Sequence, residues 1–284
     1  MKLPLVVYLP RPLLYLFDRI SSIATSRPAF WYTLPLFFSR TRIAKSINMH
    51  TFPYWILPII AGVFWSGMLA TFMIYWQTTG QPHYSSMDSS QSIPYISDIG
   101  AFRLKPLFIA GAAITTLCVD LSLVSERWLR HRGQLARNFT QTEKRLSIAS
   151  IVCGVIGGLG LLFLSIFDTA DYGNVHNVCL FVFMAGYVAS ATCSCWEYQS
   201  LGARGRDQRI LRVSFWIKLV FIIVQVCLAI AFVGTLTTDT YNAAAVLEWV
   251  LAFVFGIYVF SYAIDLFPAA RSTKSKPVVD VESK

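Results

Sequence analysis

Lysine and arginine follow a rhythm along this chain that few folds permit. Of the 24, 21 fall in four segments (1–53, 125–146, 199–213 and 268–284), separated by segments nearly devoid of them. Between the basic segments lie six apolar stretches, 54–76, 106–124, 147–167, 177–198, 214–236 and 245–267. A bilayer core about 30 Å thick takes roughly 20 apolar residues in a helix, so each stretch is long enough to cross. With 55% hydrophobic and only 14% charged residues, the composition is far from that of a soluble domain. The expected fold class is all-α, a polytopic bundle of six transmembrane helices. The cation-poor loops hold only Arg103 and Lys105, beside Asp88, Asp98, Asp168, Asp171 and Asp239. Retention of positive loops on the cytosolic side then places both termini in the cytosol. The remaining cation, Lys218, lies one turn inside the fifth stretch, where it can snorkel to the interface.

A net charge of +9 is accounted for by this topology and calls for no nucleic acid as partner. Arg127, Arg130, Arg132 and Arg137, with the basic tail, form a cytosolic surface suited to anionic phospholipid or a protein partner, at about 1 kcal/mol per cation near the surface. Three regions follow: an aromatic and basic segment 1–53 at the cytosolic interface or against the bundle, a membrane domain 54–267, and a basic polar tail 268–284. The interfacial reading rests on 28–38, an aromatic-rich run too short to span, between Arg27 and Arg40.

All six cysteines fall inside the apolar stretches, so no disulfide is expected. Cys193 and Cys195 are placed for either apolar packing or acylation. The sequon Asn138-Phe139-Thr140 lies in a loop assigned to the cytosol and should stay unglycosylated. Gly154, Gly157, Gly158 and Gly160 allow a close helix neighbour. The loop 77–105 divides into a polar half, 78–92, expected to be mobile, and an apolar half, 93–100, expected to fold down onto the bundle. A tight connection, 168–176, joins the third and fourth stretches.

Ionisable groups within a membrane are costly, about 2.5–3.5 kcal/mol at mid-bilayer on insertion scales, and mark the positions where function concentrates. Asp120, Glu197 and Asp265 sit near the cytosolic ends and are expected to pair with basic residues; Gln225 is expected to hydrogen-bond across helices. On the other face, Tyr95, Asp98, Asp168, His176 and Glu248 can gather around a shallow outer pocket. Carboxylates with an imidazole could hold a headgroup amine, transfer protons, bind a cation, or merely tie the loop to the bundle. Only His83 and His176 face that side, which excludes a three-histidine zinc site but leaves a two-histidine, one-carboxylate site open. No Gly-x-Ser-x-Gly elbow, P-loop or His-Glu-x-x-His is present. No catalytic residue, metal or cofactor is assigned.

The run Pro94-Tyr95-Ile96-Ser97-Asp98-Ile99-Gly100 resembles a signature of the FRAG/DRAM/SFK family. His176 with Phe181, Phe183, Gly186 and Tyr187, and Glu248-Trp249 with Ala252, Phe253, Tyr258, Tyr262 and Asp265, resemble its fourth and last helices. The resemblance covers 54–267 and implies six helices, cytosolic ends, and a shared site marked by Asp98, His176 and Glu248. SFK-type members are fungal plasma-membrane factors linked to phosphoinositide 4-kinase recruitment and phospholipid asymmetry. DRAM-type members modulate autophagy at the lysosome, and FRAG and CWH-type members act in lipid remodelling of GPI anchors in the ER or Golgi. A single six-helix unit with basic loops favours the SFK branch. The resemblance then implies a non-enzymatic plasma-membrane regulator of lipid organisation, with membrane lipids and a lipid-kinase complex as partners. The alternatives are a GPI-remodelling factor in the ER or Golgi and an autophagy modulator on the vacuole.

Overall fold

The structure, a computed structural model, describes residues 53–138, 140–204 and 209–274. The expected interfacial segment 1–53 lies almost wholly outside the described residues, as does the end of the basic tail. In bilayer hydrocarbon every backbone N–H and C=O must be satisfied within the chain, which leaves helices as the solution for apolar runs of this length. Among the described residues six long helices result: α1 (Ile56–Thr78), α3 (Lys105–His131), α4 (Gln141–Ile166), α5 (Thr169–Arg204), α6 (Arg209–Thr237) and α7 (Tyr241–Lys274). Each contains a window apolar enough to cross a membrane. A short seventh, α2 (Ile96–Gly100), lies in the long loop between α1 and α3.

Local chemistry sets the ends. Pro106 stands in the first turn of α3, where its missing N–H costs nothing. Thr140 caps α4 through a capping box, its hydroxyl accepting Glu143 N–H (3.3 Å) while the Glu143 carboxylate accepts Thr140 N–H (3.1 Å). The connection expected over 168–176 is nearly absent, because α5 begins at Thr169 and absorbs the change of direction in a kink at Tyr172 (φ −130°, ψ 39°). α7 runs past Pro268 to Lys274, beyond the expected end of the membrane domain.

The long helices form a ring in chain order, α1–α3–α4–α5–α6–α7, closed by α7 against α1, with α3 also touching α7 across the centre. α4 and α5 approach most closely, and the glycines are the reason. A Cβ on Gly157 would lie 2.9 Å from the Tyr187 nitrogen, one on Gly160 2.6 Å from the Phe183 nitrogen, and one on Gly186 2.5 Å from the Gly157 Cα. The core is aromatic, with Trp65, Phe183, Tyr187 and Phe255 in edge-on or tilted contacts. Trp65 Nε1 donates to the Ala252 carbonyl at 2.8 Å, which ties α1 to α7.

Several expectations change at this level. Lys218 does not snorkel: it is 1% exposed, paired with Asp265, and covered by the rings of Tyr198 and Tyr262. Glu197 pairs with Arg130 and accepts from Asn138, as expected of a basic-loop partner, whereas Asp120 keeps a buried oxygen without a partner among the described residues. The Gln225 side-chain oxygen is likewise buried and unpartnered. All six cysteines are free, and Cys193 and Cys195 are buried, which suits packing and not acylation. The polar half of the long loop between α1 and α3 is folded: Met87 and Gln91 are buried, Gln91 Nε2 donates to the Ile93 carbonyl (2.7 Å), and Tyr84 stacks on Phe102.

Candidate functional site

The cation-poor end of the ring is organised by two turns of α7. The Asn242 side-chain oxygen accepts the N–H groups of Ser92 and Ile93 at 2.7 and 2.9 Å. One turn or so further on, Glu248 Oε2 accepts Ile96 N–H at 2.9 Å, and Trp249 Nε1 donates to the Pro94 carbonyl at 3.1 Å. Three side chains thus hold the loop against the helix ends, so α2 is wholly buried and touches α1, α3, α5 and α7.

Asp98 fixes the loop from within. Its Oδ2 accepts Tyr95 N–H (2.8 Å), capping α2, and its Oδ1 accepts the Ser86 hydroxyl (2.6 Å). Burial raises its pKa above the ordinary carboxylate value, and the hydrogen bonds from Ser86 and Tyr95 offset part of that rise. Burial likewise raises the pKa of the Tyr95 phenol, whose oxygen has no partner among the described residues. His176 is buried at the first straight turn of α5, with Nδ1 2.8 Å from the Phe167 carbonyl. A carbonyl only accepts, so Nδ1 carries the proton.

Asp168 departs from the expected cluster. It is tied to Lys105 at 2.5 Å and accepts Asp171 N–H at 2.8 Å, which turns it toward α3. Burial opposes its ionisation, but the Lys105 ammonium and the Asp171 N–H outweigh burial and hold its pKa below the ordinary value. Tyr95, Asp98, His176 and Glu248 do converge, on one cavity of about 980 Å³.

That cavity is amphipathic. Its mouth carries Asp88, Asp98, Glu248, His176 and Asn177, and among the described residues its lining contains no lysine or arginine. Its body runs between α5 and α6 along Phe181, Ala185, Val226, Ala229, Ile230 and Val233. Phe181 and Ile230 are 72% and 68% exposed, so the groove opens sideways to the surroundings of the bundle. α6 is also the least buried of the six spans. A deeper chamber of about 40 Å³ adjoins, lined by Gln225, Ser97 and Glu248 among apolar residues. Sequence reasoning missed the groove walls and Ser86, and read Gln225 as a cross-helix hydrogen-bonder instead of a chamber-lining residue. Apolar residues surround α5 and α6 on all sides, so no periodicity distinguished the groove-facing side of either helix.

At the cation-rich end the four arginines separate. Arg130 is 3% exposed, bonded to Glu126 at 2.7 Å, 3.5 Å from Glu197, and stacked on Tyr198. It therefore leaves the expected lipid-facing surface. A signal was present, since Glu126 and Arg130 stand at i and i+4 on one helix. Arg132 and Arg137 are exposed, Arg132 lying over Trp128, and Arg127 is half-buried with Nη1 on the Lys144 carbonyl. Asn138 of the sequon donates to Glu197 at 2.9 Å, so its amide is already engaged. No group of three or more His, Cys, Asp or Glu able to hold a metal occurs among the described residues.

Residues 53–269 match the family model described as the Frag1/DRAM/Sfk1/Cwh43P N-terminal domain. Protein SFK1 of Saccharomyces cerevisiae is 29% identical, over 80% of this chain and 82% of the relative. Protein sfk1 of Schizosaccharomyces pombe is also 29% identical, over 89% of this chain and 70% of the relative. No solved structure matches.

Proposed function

Because the chain belongs to the Frag1/DRAM/Sfk1/Cwh43P N-terminal domain family, we propose that this multi-pass membrane protein holds a membrane lipid in the groove between α5 and α6 and thereby regulates lipid organisation. One observation carries the reading: a cavity of about 980 Å³ with a polar mouth at the bundle end and an apolar body open sideways. That volume is at the upper end of ligand pockets, and its polarity runs in the same sense as a lipid's, headgroup outward and chain inward. The carboxylates best placed for proton transfer, Asp98 and Glu248, accept backbone N–H groups of the loop, which supports binding over catalysis.

In this reading the cation-rich end faces the cytosol, where Arg132 and Arg137 meet anionic lipid or a lipid-kinase complex. The plasma membrane is the favoured compartment, in keeping with the resemblance to SFK-type proteins. The experiment is to fill the groove. Ala229→Trp places an indole between α5 and α6, and the purified variant should keep its thermal unfolding temperature yet lose the lipid that native mass spectrometry finds on the wild type. In cells lacking the protein, wild type should correct any excess surface exposure of inner-leaflet phospholipid and Ala229→Trp should not. A variant that retains both lipid and correction would remove this reading.

A further inference from the structure

We propose that the occupant of the α5–α6 groove is a lipid with a primary ammonium and no carboxylate in its headgroup, of the ethanolamine type. The inference rests on the lipid-groove reading and adds the identity of the headgroup. Its first ground is charge. Asp88, Asp98 and Glu248 line the mouth, and among the described residues the one titratable cation-former there is His176, with no lysine or arginine in the lining. Lys105, the ammonium at the start of α3, is committed to Asp168. A phosphoinositide headgroup, with several phosphate charges, meets repulsion there and finds none of the Arg or Lys donors that phosphate requires. A serine headgroup brings its own carboxylate to the same carboxylates.

The second ground is unsatisfied acceptors. Glu248 uses Oε2 on Ile96 N–H and has no other hydrogen bond, leaving Oε1 open to the cavity. Gln225, only 5% exposed, lines the small chamber it shares with Glu248, and its side-chain oxygen has no partner. A buried acceptor without a donor, as at Gln225, is costly unless a ligand supplies N–H groups, and the Glu248 oxygen facing the cavity offers a second acceptor beside it. A primary ammonium carries three; a quaternary choline carries none. The groove therefore selects an N–H-bearing cation over a bulkier methylated one of equal charge. Its apolar body excludes small soluble amines, because a ligand without a chain leaves the α5–α6 walls uncovered.

The test uses the full-length protein in phosphatidylcholine nanodiscs, with photoreactive diazirine-chain lipids that differ only in headgroup: ethanolamine, choline, serine or inositol. Labelling of α5 and α6 peptides is read by mass spectrometry. The ethanolamine probe should label about tenfold more than the choline probe, the range expected for a charge-assisted hydrogen bond. Glu248→Gln keeps an oxygen for Ile96 N–H but loses the charge, so it should fold and lose most of that preference while still being labelled. Gln225→Leu, which cannot accept, should reduce the preference independently. Equal labelling by ethanolamine and choline probes, or a preference for the inositol probe, overturns the headgroup assignment while leaving the groove in place. Labelling that Ala229→Trp does not diminish for any probe overturns the groove reading beneath it.

Discussion

At the residue scale, single buried polar groups decide whether the cation-poor end holds its shape. Asp98 accepts two hydrogen bonds from the loop, so Asp98→Ala should cost about 1–3 kcal/mol in thermal unfolding of the purified protein, and Asp98→Asn less because one oxygen remains. Asp168 gives a pH signature. Its pKa is held below the ordinary value of 3.8, burial notwithstanding, by Lys105 and Asp171 N–H. Its stabilising contribution is therefore fully present above that ordinary value and is lost as the pH falls through the lower folded one. Lys105 is 32% exposed, so Lys105→Gln should cost under about 1 kcal/mol near pH 6, with the difference from wild type shrinking as the pH falls below the ordinary carboxylate value. The convergence of Asp98, His176 and Glu248 was legible because the family-like motifs and the outer-face placement pointed to the same residues. The defection of Asp168 was not, since its partner is 63 residues away in sequence and nothing local marks it.

At the scale of elements, six helices were readable from hydropathy alone, because the bilayer imposes length and forbids unsatisfied backbone. Their rotation was not, since an apolar residue suits lipid and protein alike. Glycine is the exception, because it reports where two backbones meet. Gly160→Leu should separate α4 from α5 and abolish monodisperse behaviour on size exclusion, since the added Cβ alone would sit 2.6 Å from the Phe183 nitrogen. Gly67 in α1 has open space where a Cβ would go, and Gly67→Ala should raise stability by about 0.5–1 kcal/mol. The junction of α6 with α7 rests on a buried ion pair, Lys218 with Asp265, to which Ser214 adds a hydrogen bond. Lys218→Met alone strands a buried carboxylate at a cost of about 3–5 kcal/mol; adding Asp265→Leu should restore most of it, and a double-mutant cycle in detergent measures the coupling.

For the whole molecule, the charge rhythm predicts that Asn138 stays unglycosylated, and an acceptor sequon inserted near Gly80 should shift mass on glycosidase treatment while the native one does not. Engagement of Asn138 by Glu197 is a second reason to expect the native sequon unmodified. The ring order of the helices bears on how the molecule is made. Each helix packs against the one inserted just before it, so contacts form in the order of synthesis and little unpaired surface waits in the bilayer. One closure is left to the end: Trp65 of α1 meets the Ala252 carbonyl only when α7 arrives. The same helix brings Asn242, Glu248 and Trp249, the side chains that pin the long loop between α1 and α3. The cation-poor end therefore takes its final shape only when α7 arrives, and in the lipid-groove reading completion of the ring and competence of the site are a single event in biogenesis.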